Sequence, residues 1–109
     1  MNFYQPGLNS WFIDPAAGQQ AAQNGVVFND MLEAIYATAG SPVADVETAF
    51  SVTDFSHTAV LQGFGPVPQS VYAVCTLTWA CNQQSGFDIH ANSDGYARIA
   101  QAFATVLGV

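Results

Sequence analysis

Phe87-Asp88-Ile89-His90-Ala91-Asn92-Ser93-Asp94-Gly95-Tyr96-Ala97-Arg98-Ile99-Ala100 carries most of what this sequence says about fold and chemistry. From Tyr96 onward the apolar residues Ile99, Ala100, Phe103, Val106 and Leu107 keep to one face of a helical period. The spacing predicts a helix from about Ser93 to Leu107. Asn92 or Ser93 is placed to cap its first N–H groups, Asp94 suits the positive end of its dipole, and Gly108 closes it. His90 falls in the loop just ahead, where a rigid element stands behind it and suits it to general-base work. Asp88, two residues earlier, is close enough to orient the ring, as the acid of a Ser-His-Asp triad orients its imidazole. A bare Asp-x-His also serves as a surface or capping arrangement, so the residues around it decide the reading.

Those residues resemble a family. The run from Asp88 to Ala100 is similar to the C-terminal block of SGNH/GDSL-type serine esterases and lipases, roughly Asp-x-x-His-Pro-Asn-x-x-Gly-Tyr-x-x-Ile-Ala. His90, Asn92, Gly95, Tyr96, Ile99 and Ala100 fall at its positions. Met1-Asn2-Phe3-Tyr4-Gln5-Pro6 and the loop between Cys75 and Cys81 look like the later half of exported actinobacterial members. The resemblance implies an α/β, flavodoxin-like fold. This chain would form the C-terminal part of its three-layer α/β/α sandwich around a parallel sheet, as one partial domain over 1–109. It also implies hydrolysis of carboxylic esters, lipid or short-chain, with no cofactor and no metal. His90 would be the base, with Asp88 or a backbone carbonyl behind it.

Two departures bear on that reading. The family's acid stands three residues before its histidine, and Phe87 occupies that position here. Members also carry a Gly-Asp-Ser nucleophile, then a Gly and a Gly-x-Asn-Asp block as oxyanion donors. Ser10, Ser41, Ser51, Ser56, Ser70, Ser85 and Ser93 all lack the Gly-Asp context, and Asn29-Asp30 lies inside a helical pattern, as a solvated helix face. A base without a nucleophile has no proton to take, and acyl transfer without oxyanion donors loses much of its transition-state stabilisation. The expectation is the C-terminal fragment of a hydrolase, from a truncated gene or a late-started reading frame. Alone, it should hydrolyse esters no faster than a denatured control.

Composition narrows the partners. The chain has 109 residues and 11.5 kDa, one small domain or part of a larger one. Eight acidic residues against the single base Arg98 give a net charge of −7. Neutralising phosphates needs clustered Lys and Arg, so nucleic-acid binding is excluded, as is docking on anionic lipid through a basic patch. Half the residues are apolar and 8% are charged, which predicts a packed core rather than disorder. No apolar run approaches the roughly 20 residues of a membrane span, and no basic segment followed by an apolar one opens the chain as a secretory signal. Cys75 and Cys81 lack the extra thiolates or nearby His of a zinc site and the C-x-x-C of a redox pair. A local disulfide is the favoured reading, and two buried thiols are the alternative. A disulfide implies a parent that is secreted or at the cell surface, and its mismatch with the missing export signal suggests that Met1 is not the true beginning.

Elsewhere, Asn2-Phe3-Tyr4 reads as a strand, and Pro15 opens a helix over about 16–39 with apolar positions Ala21, Phe28, Met31, Leu32, Ile35 and Ala39. Val43-Ala44-Asp45-Val46 reads as a second strand. Strand, helix and strand in that order suggest a βαβ unit and a parallel sheet, whose open edge would invite self-association. A short helix is expected between Val67 and Trp79. Asp54-Phe55-Ser56-His57 is a second Asp-x-x-His with no Asn-x-x-Gly-Tyr helix behind it, read as a polar loop. Asp54, His57, Asp88 and His90 together could form a mixed nitrogen and oxygen metal set. Trp11, Phe12, Phe55, Phe64 and Trp79 are candidates for an acyl pocket or for plain core. The rival to a hydrolase is a non-catalytic exported module that binds through the aromatic loop 53–86.

Overall fold

Pro15 has no N–H to leave unbonded and Asp14 offers a side-chain oxygen, so together they start the longest element of the chain. In the computed structural model, which describes residues 1–82, 84 and 86–109, helix α1 runs Pro15–Thr38 and the Asp14 carboxylate accepts from Ala16 N. A 3-10 helix, Pro6–Phe12, precedes it. After it come α2 (Val46–Ala49), strands β1 (Thr58–Leu61) and β2 (Gly65–Pro68), α3 (Gln69–Leu77) and α4 (Ser93–Leu107). β1 and β2 form an antiparallel hairpin, with Thr58 opposite Pro68 and Leu61 opposite Gly65. That two-stranded pair is the only sheet among the described residues. The expected three-layer α/β/α sandwich around a parallel sheet is therefore overturned: the fold is mainly helical, and the parallel-sheet edge expected to invite self-association goes with the sheet.

The reason lies in the two segments read as strands. Asn2-Phe3-Tyr4 and Val43–Val46 do lie side by side, with Asn2 N donating to Ala44 O at 3.2 Å. The ladder goes no further. Asp45 accepts from Thr48 N and turns the chain into α2. Asn2, fully buried, uses its side chain instead: Oδ1 accepts from Glu47 N at 2.9 Å, and Nδ2 donates to Glu33 and to Asp45 at 2.9 Å each. Asn29, expected on a solvated helix face, is buried beside it. Its Oδ1 accepts from Phe3 N at 2.9 Å and its Nδ2 donates to Phe3 O at 2.8 Å. A side-chain amide thus satisfies the peptide groups that a neighbouring strand would have paired. Parallel strands are stable when both flanked and covered. Two short segments with no further partner give way to local capping.

Helix α1 also presents a different face to the core from the one its apolar stripe suggests. Gly18, Ala22, Gly25 and Asn29 are the buried positions, with Trp11 against Gly18, Gln5 against Gly25 and Phe3 bonded to Asn29. Phe28, Met31 and Ile35 are left 52%, 62% and 64% exposed. Small residues allow the closer approach. A Cβ added at Gly18 would stand 2.7 Å from the Trp11 Cβ, inside any normal contact.

The core itself gathers Leu8, Ala22, Val46, Phe50, Val52, Ala73, Val74, Leu77 and Ala80, with Ile99 of α4 packed against it. A second cluster, Leu61, Val67 and Val71, ties the hairpin to α3 and takes Trp11 and Phe12. Cys75 and Cys81 are joined in a disulfide that closes the chain across the end of α3. Loop-closure entropy for so short a loop gives it roughly 2 kcal/mol. Within segment 53–86, expected as an aromatic loop, Thr58–Leu61 and Gly65–Pro68 form the hairpin and Gln69–Leu77 forms α3.

Gly18→Ala tests the close approach. Helix propensity alone would stabilise an exposed helix by about 1 kcal/mol, but the clash with Trp11 should reverse the sign and destabilise by about 1–3 kcal/mol. A chemical denaturation curve measures the difference, and a more stable variant would show that α1 does not pack this closely.

Candidate active site

An α-helix ends with carbonyls that have no partner within it. At the end of α3 those carbonyls are met by the segment that leads into α4. Asn92 N donates to Leu77 O at 2.9 Å, and Asn92 Nδ2 donates to Thr76 O at 2.8 Å. The same side chain caps α4, its Oδ1 accepting from Gly95 N at 2.9 Å. Thr78 and Ala91 pair as an isolated antiparallel bridge, and Trp79 N donates to His90 O at 3.0 Å. Segments 76–79 and 90–92 thus form a short clamp, with the Cys75–Cys81 disulfide bracketing one arm. Gly95 is required where α4 begins, because a Cβ there would lie 2.0 Å from Leu77 O.

The clamp holds the residues singled out on the sequence. Asp88 Oδ1 accepts from His90 N at 2.9 Å and meets His90 Nδ1 at 2.6 Å. A carboxylate only accepts, so Nδ1 carries the proton and Nε2 is left as the basic nitrogen. A tight turn folds the Asp88 carboxylate back over the His90 backbone. Phe87, just before Asp88, is exposed. The backbone N–H of His90, then its ring and charge, hold the Asp88 carboxyl below the usual carboxylate range. The His90 side chain is 70% exposed, not packed among aliphatic groups.

A second pair has formed at 54–57. Asp54 Oδ1 accepts from His57 N at 3.0 Å, and Asp54 Oδ2 meets His57 Nδ1 at 3.0 Å. The His57 backbone N–H is the main cause of the lowered Asp54 pKa. Ser56 Oγ lies 3.3 Å from the same Nδ1. A nucleophile must hand its proton to the nitrogen that the acid does not occupy. Ser56 therefore contacts the wrong side of the ring for a triad. The four residues weighed as a metal set separate into these two pairs, and no group of three metal-ligating side chains forms among the described residues.

Of the aromatic candidates, Phe12 and Phe64 stand 4.6 Å apart and, with Phe87, help to line a cleft of about 240 Å³ beside Ala80 and Cys81. Trp11 packs on the hairpin cluster, and Phe55 lines a separate groove of about 530 Å³ against α1. Trp79 is half exposed, with its backbone in the clamp. Sequence reasoning missed Thr76, Leu77 and Thr78 as the frame for His90, because their part is played by backbone carbonyls and a β-bridge that no residue type announces. It also missed Tyr4, whose hydroxyl donates to Ile89 O at 2.8 Å. No family model, curated protein or solved structure matches the chain.

Two outcomes are expected. Asn92→Ala removes the cap and the tie to Thr76 together, lowering stability by about 1–2 kcal/mol in a denaturation experiment. The Asp88 pKa is lowered in the fold, so its contribution is complete above the unfolded carboxylate value and is lost as pH falls through the lowered one. The stability gap between wild type and Asp88→Asn should thus shrink as pH falls below about 4. Paired thermal melts read this difference, and a gap that persists undiminished well below about pH 4 contradicts it.

Proposed function

We propose that this chain carries the base-and-acid half of a carboxylic ester hydrolase of the SGNH/GDSL type, with the attacking serine on polypeptide outside these 109 residues. The observation that carries the reading is the Asp88 carboxylate 2.6 Å from His90 Nδ1, on an exposed imidazole just ahead of α4. In that arrangement Nε2 can take a proton from a hydroxyl brought to it, and Asp88 stabilises the imidazolium that forms. The matched positions of the family block also have physical work here. Asn92 caps α4, Gly95 permits its contact with Leu77, and Ile99 packs on the core.

The cleft of Phe12, Phe64 and Phe87 supports an apolar acyl group as the part of the ester bound nearby, since Phe87 adjoins Asp88 in the chain. The disulfide favours a secreted or cell-surface parent. No helix among the described residues is long and apolar enough to cross a membrane.

A fluorophosphonate probe, which reacts with activated serines, should leave the 109-residue chain unlabelled. In a longer polypeptide that joins a Gly-Asp-Ser segment to this chain and hydrolyses p-nitrophenyl esters, His90→Ala should lower kcat/KM by about 10³-fold or more. His57→Ala should change it by less than about threefold, as expected of a residue outside the relay. Labelling of the short chain, or full activity in the His90→Ala form, overturns the reading.

A further inference from the structure

The loop that holds Asp88 and His90 has little packing of its own. Phe87, Ile89 and His90 all point substantially into solvent, with Ile89 52% exposed. Its shape therefore depends on backbone hydrogen bonds. One is the Trp79 N bond to His90 O. The other comes from the far end of the chain: Tyr4 Oη donates to Ile89 O at 2.8 Å across 85 residues of sequence. The Tyr4 ring is stacked on Phe50, with centroids 4.7 Å apart and planes 13° from parallel, and Phe50 is 1% exposed in the core. The phenol is thus a strut between the core and the loop.

Ile89 C=O and His90 N–H belong to one planar peptide unit. Tyr4 holds the oxygen of that plane, and the N–H at its other end donates to Asp88 Oδ1 at 2.9 Å. Rotation of the plane would withdraw the N–H from Asp88 and carry the carboxylate away from Nδ1. We propose that Tyr4 is a positioning residue for the Asp88–His90 pair, fixing the Ile89–His90 peptide plane so that Asp88 holds the proton on Nδ1 and Nε2 remains basic. Its meaning for catalysis rests on the hydrolase reading above, but the coupling itself does not. Burial, then the neighbouring Tyr96 and Asp88, push the Tyr4 phenol up, against the Ala91 backbone N–H, so it remains a donor throughout the neutral range.

The test is made on the 109-residue chain with ¹⁵N-labelled histidine, read on the alkaline plateau where the ring ¹⁵N shifts no longer change with pH. The ¹⁵N shifts give the ratio of Nδ1–H to Nε2–H tautomers for each ring. His90 should favour Nδ1–H in the wild type. Tyr4→Phe keeps the ring on Phe50 and removes only the hydroxyl, so its melting temperature should stay within about 5 °C of wild type. It should nevertheless move the His90 ratio at least about fivefold toward Nε2–H. His57, paired with Asp54 and out of reach of Tyr4's bond, serves as the internal control and should not move. Asp88→Asn should move the His90 ratio at least as far, and adding Tyr4→Phe to it should change nothing more, because both act through one carboxylate. A His90 ratio indifferent to Tyr4→Phe, or a Tyr4 effect that persists undiminished in Asp88→Asn, overturns the proposal. Because no turnover is needed, this failure is separate from that of the hydrolase reading, which falls on His90→Ala in the nucleophile-bearing polypeptide.

Discussion

The carbonyls exposed at the end of α3 are the constraint on which the rest of this structure turns. Left unbonded in a half-buried position they would cost more than a hydrogen bond contributes when formed. Asn92 meets them with its backbone N–H and its amide, and the oxygen of that same side chain caps α4. One residue thereby closes one helix, opens the next and fixes their separation. Gly95 lets the two approach, and the bridge between Thr78 and Ala91 sets the direction in which the intervening loop leaves. His90 stands one residue before that bridge, its carbonyl held by Trp79 N.

The segments Asn2–Tyr4 and Val43–Val46 show what happens when a β-pattern lacks neighbours. Asn2 and Asn29 bring amide groups to the places a strand would fill, and Glu33, Asp45 and Glu47 complete the network. Burial pushes the Asp45 carboxyl up, but its hydrogen bonds from Asn2 and Thr48 outweigh this and leave it below the usual range. The network costs desolvation and returns fully bonded polar groups, which is the condition for a buried polar cluster to be tolerated. Meanwhile Phe28, Met31 and Ile35 remain on the surface of α1. The apolar stripe legible in the sequence is real, but in this fold much of it meets solvent, while Gly18, Ala22 and Gly25 are buried, Gly18 against Trp11 and Gly25 against Gln5.

Helices were the most legible part of the chain. α4 occupies the predicted span, α3 lies inside its predicted range, and α1 begins at Pro15. α4 and α1 are announced by signals at their own ends, Asn92 with Gly108 for the first and Pro15 for the second. The parallel sheet was misread because Val43-Ala44-Asp45-Val46 has the composition of a strand. Asp45 and Thr48 also make a helix cap, and composition does not say which use a segment will find. At the site, Asp88 and His90 could be picked out because their side chains carry chemistry. Tyr4 could not, since its hydrogen bond joins residues 85 apart in sequence.

The amino-acid sequence by itself determined where α1 and α4 begin, the acidic charge, and Cys75 with Cys81 and Asp88 with His90 as candidate pairs. All of these depend on composition or on residues within a turn or two of each other. Only the tertiary structure decided which face of α1 is buried, that no parallel sheet forms, and that core and clamp together support the histidine loop. Those outcomes depend on distant segments competing for the same hydrogen bonds and the same space, and such competition is settled only when the chain closes on itself.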